Sequence, residues 1–157
     1  MVFRSILRVA VVTSRFGLAA LFLFAAGAKL WTIKSFAGNV AELVSASGFT
    51  QSRWTWPATI AVILAEIITA VCLVLRRTVR TGALFAVTLL VSFSAFALYY
   101  RFGLGYPEGL ECNCFGGIIG SQLGVTTALR NLALLVPAFM VFFGYQRQRQ
   151  YRRFRGQ

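Results

Sequence analysis

Four apolar stretches dominate this chain, each long enough to cross a lipid bilayer as a helix. They run from about Val9 to Leu30, Pro57 to Leu75, Thr81 to Tyr100 and Val125 to Tyr145. A hydrocarbon core of about 30 Å takes about 20 helical residues. The runs are continuous rather than alternating, which selects helices over a β-barrel. With 58% of residues hydrophobic and 13% charged, the chain is neither an ordinary soluble domain nor a disordered one. The expected fold class is all-α: an integral membrane four-helix bundle over residues 1–146, followed by a basic cytoplasmic tail, residues 147–157.

Charge sets the expected orientation. The chain has 16 basic and 4 acidic residues, a net +12. Such a balance can mark a nucleic-acid binder, but here the basic residues are grouped between the apolar runs. Arg4, Arg8 and Arg15 form one group, Arg76, Arg77 and Arg80 a second, and Arg147, Arg149, Arg152, Arg153 and Arg155 a third. None of these groups contains an acidic residue. Basic loops stay on the cytoplasmic side, so both termini are expected there, in the cytoplasmic (inner) membrane. The lipid bilayer is the expected partner, and nucleic acid is not. The tail reads as a solvated anchor on anionic lipid. Trp31, Trp54, Trp56, Tyr99, Tyr100 and Tyr106 then fall near the outer surface, where amphipathic rings prefer to sit.

The first span is the least regular. Arg15 lies inside it and must either snorkel to the inner surface or face protein. Its basic start and the small residues Ala26-Gly27-Ala28 imitate a secretory signal. Lys29-Leu30-Trp31 reads instead as a helix end at an interface, so the span is expected to be retained. Between the first two spans, Phe36, Val40, Leu43 and Val44 have roughly helical spacing. They predict a short interfacial helix over 35–47, with Ser35 as its cap. In the second span, Ala61, Ala65 and Thr69 repeat every four residues, a small-residue stripe that admits a close neighbour.

The chain has no histidine, which removes the commonest general base and metal nitrogen ligand. What remains is thiol chemistry and a few intramembrane charges. Cys112 and Cys114 lie in Glu111-Cys112-Asn113-Cys114-Phe115-Gly116-Gly117, in the outer loop between the third and fourth spans. A bond between cysteines separated by one residue closes a tight, easily reduced ring. Three readings follow: an exchanging pair, a local staple, or a two-sulfur Cu(I) site. No metal site is assigned. Cys72 lies deep in the second span, out of their reach, and reads as inert packing. Glu66, mid-span, and Arg130, inside the fourth span, are functional candidates because a buried charge is costly. Arg130 is expected to extend to meet Glu66, with Lys29 on the same side and Asn131 adjacent. A structural ion pair and a functional one are both open readings.

These elements together resemble the methylamine utilisation MauE family, within the DoxX-like superfamily of four-helix membrane proteins. The resemblance rests on Gly27-Ala28-Lys29-Leu30, on Pro57 and Glu66, on Cys112-x-Cys114-Phe115-Gly116, and on Arg130-Asn131. It covers the chain up to the basic tail. The family more often has Asp-Cys-Gly-Cys-Phe-Gly, from which Glu111 and Asn113 depart. The resemblance implies periplasmic redox and disulfide maturation alongside a thioredoxin-fold partner. The leading expectation is thus a thiol–disulfide redox protein exchanging electrons through Cys112 and Cys114 with an extracytoplasmic protein. Glu111 and the dipole of the following helix would tune thiolate character with opposite signs. No cofactor follows from the residues themselves; fold analogy offers a quinone near Lys29, Glu66 and Arg130. The competing expectations are a non-enzymatic accessory subunit of a larger membrane complex, and a transporter or metal-handling protein.

Overall fold

A computed structural model describes residues 2–46, 51–99, 102 and 125–154. Five helices follow one another: α1 (Val2–Trp31), α2 (Ile33–Ala46), α3 (Gln51–Val74), α4 (Val79–Leu98) and α5 (Val125–Phe154). No strand occurs among the described residues. All but α2 are long and apolar enough to cross a membrane, over Ile6–Trp31, Arg53–Val74, Val79–Leu98 and Thr127–Tyr145. This is the all-α membrane bundle that the apolar runs imply.

The four spans close into a ring: α1 packs on α3, α3 on α4, α4 on α5, and α5 back on α1. Two ends are distinguished by what lies there. At one, α2 folds back against α3; at the other, the tight turn through residues 75–78 joins α3 to α4. The central core takes Leu18, Ala19 and Phe22 from α1, Ala70 and Leu73 from α3, Ala83, Ala86 and Leu90 from α4, and Ala138 and Val141 from α5. A smaller cluster of Ala26, Phe36 and Ile63 joins α1, α2 and α3. Alanine is frequent in the core because helices in lipid gain little from burying apolar surface and associate through close packing.

Large apolar side chains on all four spans face outward, among them Leu23, Phe24, Ile60, Leu64, Leu84, Phe85, Leu132 and Phe139. An exposed apolar surface of this extent is a liability in water and the natural exterior in a bilayer. Trp31, Trp54, Trp56 and Tyr99 are exposed at the α2 end, consistent with a belt at the headgroup level. Buried hydroxyls turn back onto their own helix: Thr59 donates to the Thr55 carbonyl at 2.8 Å and Ser94 to that of Leu90 at 2.8 Å. No water is needed to satisfy them.

Several expectations change. The α3 helix begins at Gln51, so Pro57 lies inside it, beyond the first turn, and its missing N–H leaves the Arg53 carbonyl without that bond. The interfacial helix begins at Ile33, so Ser35 is inside it and does not cap it. Thr32 is the whole hinge: its amide donates to the Ala28 carbonyl at 3.1 Å, and its own carbonyl accepts from Phe36 at 2.9 Å. The small-residue stripe on α3 is interior over part of its length: Thr69 is buried, Ala65 half-buried and Ala61 exposed. Helix α4 buries a second set, Gly82, Ala83, Ala86, Ser94 and Ala97. A Cβ on Gly82 would lie 2.7 Å from the Leu73 amide nitrogen and 2.8 Å from the Cys72 carbonyl carbon. Only glycine lets the two backbones approach so closely. Finally, α5 continues through Phe154, so Arg147, Arg149, Arg152 and Arg153 prolong the helix.

Candidate functional site

On α1 the buried residues Val11, Arg15, Leu18, Phe22, Ala25 and Lys29 follow alternating steps of four and three. That spacing is one face of a helix. Two cations therefore point into the bundle from a single stripe, about 21 Å apart along the axis at 1.5 Å per residue.

Arg15 is 4% exposed and faces protein. Its Nε donates to the Leu73 carbonyl at 2.5 Å, its Nη2 to the Val74 carbonyl, and its Nη1 to the Tyr145 hydroxyl at 2.7 Å. Leu73 and Val74 close α3, where the last carbonyls of a helix have no partner in their own ladder. A cation at this terminus also meets the negative end of the helix dipole. The guanidinium lies 5.0 Å from the Phe16 ring centroid and 5.6 Å from that of Tyr145. Arg15 thus ties α1, α3 and α5 together near the α3–α4 turn.

Lys29 is held differently. Its Nζ lies 2.6 Å from Glu66 Oε1, with the two side chains 3% and 2% exposed. The Phe36 ring of α2 and the Phe93 ring of α4 have centroids 5.5 and 5.8 Å from the ammonium, within cation–π range. The other carboxylate oxygen, Glu66 Oε2, is buried with no hydrogen-bond partner among the described residues.

This pairing corrects the expected one, since Glu66 bonds Lys29 and not Arg130. The reason is topological. Helices α1 and α3 pack directly and run antiparallel, so the end of α1 is level with the middle of α3. Helices α3 and α5 stand diagonally across the ring. Arg130 is half-buried on α5 and the adjacent Asn131 is 6% exposed. Cys72 is a free, partly buried thiol in the last turn of α3. Glu111, Cys112, Asn113 and Cys114 lie outside the described residues. They belong to the segment 103–124, which leaves α4 and enters α5 at the end of the bundle where α2 lies.

Tyr145 and Phe93 are the partners that sequence reasoning missed, for nothing local marks an aromatic residue as the neighbour of a distant cation. The shared face of Arg15 and Lys29 was detectable, because fourteen residues is close to four helical turns. Chemically, the Lys29–Glu66 layer can hold a proton and accept a hydrogen bond at Oε2. The Arg15 layer offers only satisfied donors. Among the described residues, no group of three or more cysteine or carboxylate side chains could hold a metal ion.

Comparison with curated proteins finds no match, and comparison with solved structures finds none. A family model described as methylamine utilisation protein MauE matches residues 7–144. That range spans all four membrane helices and the charged layers between them, so the chain belongs to the MauE family of membrane proteins.

Proposed function

We propose that this protein carries out thiol–disulfide exchange at the outer face of the cytoplasmic membrane, with Cys112 and Cys114 as the exchanging pair. The observation that carries this reading is the Cys112-x-Cys114-Phe115-Gly116 motif in the segment joining α4 to α5, within the MauE match. The orientation is supported by the arginines at the α3–α4 turn, which by the positive-inside rule belong on the cytoplasmic side. The 103–124 segment then emerges outside, where disulfides persist.

The exchange balances in two steps. A partner thiolate attacks one sulfur of the Cys112–Cys114 disulfide and forms a mixed disulfide, releasing the other cysteine as a thiolate. The partner's second thiolate then displaces the bound cysteine, leaving the partner oxidised and Cys112 and Cys114 reduced by two electrons. The reverse sequence oxidises the pair. Glu111 disfavours the thiolate by its charge, while the N-terminal end of α5 favours it. A thioredoxin-fold protein is the partner class suited to this chemistry.

The electron carrier enters only as a class, a quinone near Lys29, Glu66 and Arg130. The buried, unpartnered Glu66 Oε2 is an acceptor that a hydroquinone hydroxyl fits; such a group would supply two-electron storage within the bilayer.

Removing the resolving cysteine should trap the partner covalently. Of Cys112→Ala and Cys114→Ala, one should accumulate a reducible, higher-mass species on non-reducing gels, and the double variant should not. No trapped species, with full function in both single variants, would favour an accessory subunit whose cysteines only fix a loop. An impermeant thiol reagent on intact cells, after reduction, should label Cys112 or Cys114 and spare Cys72; labelling only after permeabilisation would invert the orientation.

A further inference from the structure

Beside the α3–α4 turn, residues of α1, α4 and α5 enclose an open cavity of about 950 Å³. Among the described residues, five arginines line it, Arg8, Arg15, Arg76, Arg77 and Arg80, and no acidic residue does. Arg15 is committed to the α3 terminus and to Tyr145. Arg80 is not so committed: its Nε is buried with no hydrogen-bond partner among the described residues, and its guanidinium lies 5.4 Å from the Phe142 ring centroid.

The backbone adds to this field. Helix α4 begins at the cavity, with Arg80 and Thr81 of its first turn in the lining. The preceding Thr78 gives α4 no side-chain cap and no acidic residue lies in that turn. Its hydroxyl points back instead, toward the carbonyls of Cys72 at 3.1 Å and Leu75 at 3.4 Å. The positive end of the helix dipole thus meets the same space without a side-chain acceptor.

Apart from the hydroxyls of Thr81 and Tyr145, the remaining wall is apolar, formed by Val12, Phe16, Val74, Leu84 and Phe142. Val12, Phe16 and Leu84 are themselves exposed, so the wall continues into the lipid-facing surface. A free phosphate would use the arginines and leave this wall bare. A molecule with a negative head and an apolar tail would use both.

We infer that the cavity is a binding site for an anionic phospholipid, its phosphate held by Arg76, Arg77 and Arg80 and its acyl chains along Phe16 and Leu84. Basic pockets between membrane helices recognise such headgroups through charge and guanidinium geometry. The site is independent of the cysteine pair.

The test uses the full chain in nanodiscs of phosphatidylcholine with phosphatidylglycerol as a minor component, and native mass spectrometry of the lipids retained. Phosphatidylglycerol should be retained preferentially. Arg77→Gln with Arg80→Gln should lower that preference on the order of twentyfold, at about fivefold for each arginine near the headgroups. Lys34→Gln with Arg53→Gln, the same change in charge at the opposite end, should leave it unchanged. The unaltered chain supplies a second readout that does not depend on how the variants fold. Its thermal midpoint in neutral detergent should rise with added phosphatidylglycerol, and not with phosphatidylcholine or inorganic phosphate. Equal retention of the two lipids, equal loss in both double variants, or an equal rise with inorganic phosphate would overturn the assignment.

Discussion

Arg15 and Lys29 lie on the same face of the same helix, both nearly inaccessible, yet the protein accommodates them in opposite ways. Lys29 is neutralised by a carboxylate, Glu66, 2.6 Å away. Arg15 is satisfied by two main-chain carbonyls and a phenol, all formally neutral, so its charge remains. The contrast follows from what each cation can do. A guanidinium spreads its charge over a planar fork that matches several acceptors, whereas an ammonium is a compact charge better served by one strong partner. One end of the bundle is therefore an internal salt, and the other keeps a positive field.

The largest test of this contrast is at the ion pair. Glu66→Gln or Lys29→Met alone strands a charge in low dielectric and should cost about 3–5 kcal/mol. Lys29→Met combined with Glu66→Leu should recover most of that, measured by unfolding in detergent. Glu66→Gln and Arg130→Gln should simply add. Strong coupling of Glu66 to Arg130, and none to Lys29, would break the comparison.

Arg15→Met should cost about 2–3 kcal/mol, because it leaves helix-terminal carbonyls of α3 without their charged donor. Unlike the loss of Lys29, this loss has no second-site neutralisation to restore it, since among the described residues Arg15 has no carboxylate partner. Arg15→Lys should recover only part, an ammonium being unable to reach both carbonyls and the Tyr145 hydroxyl in the same fork.

The two ends differ in backbone packing as well. Gly82 seats α4 against the α3 terminus that Arg15 binds, and Gly82→Ala should cost about 1–2 kcal/mol through overpacking. Gly27, near Lys29, has nothing within 4 Å of an added Cβ. Gly27→Ala should be neutral or slightly stabilising, because alanine loses less backbone entropy in a helix. Tyr145→Phe should cost about 1 kcal/mol, the worth of one hydrogen bond to Arg15. A cost as large as that of Arg15→Met would show that the phenol, and not the carbonyls, anchors the guanidinium.

Much of the fold was legible before any coordinates. The four spans are long and strongly apolar, and such a signal survives errors of a few residues at each end. Helix ends were less legible because capping competes with tertiary contacts. Ser35 has the chemistry of a cap, but Phe36 and Ala37 must pack against the bundle, and the helix starts earlier to place them. The small-residue spacing on α3 is buried at Thr69 and exposed at Ala61, since periodicity does not say how far along a helix its neighbour reaches. Position alone marks Glu66 as a buried charge, but nothing in its spacing names Lys29 as the partner.

Composition and spacing along the chain were thus enough to establish a helical membrane bundle, its spans and the residues whose burial would be costly. These are local properties, set by the free energy of moving each side chain between water and hydrocarbon. Which charges meet was decided by tertiary structure. A linear sequence holds no record of which helices are adjacent in the ring and which stand across it. That order puts Lys29 beside Glu66, sets Arg15 against the end of α3, and gathers Arg8, Arg76, Arg77 and Arg80 around one cavity.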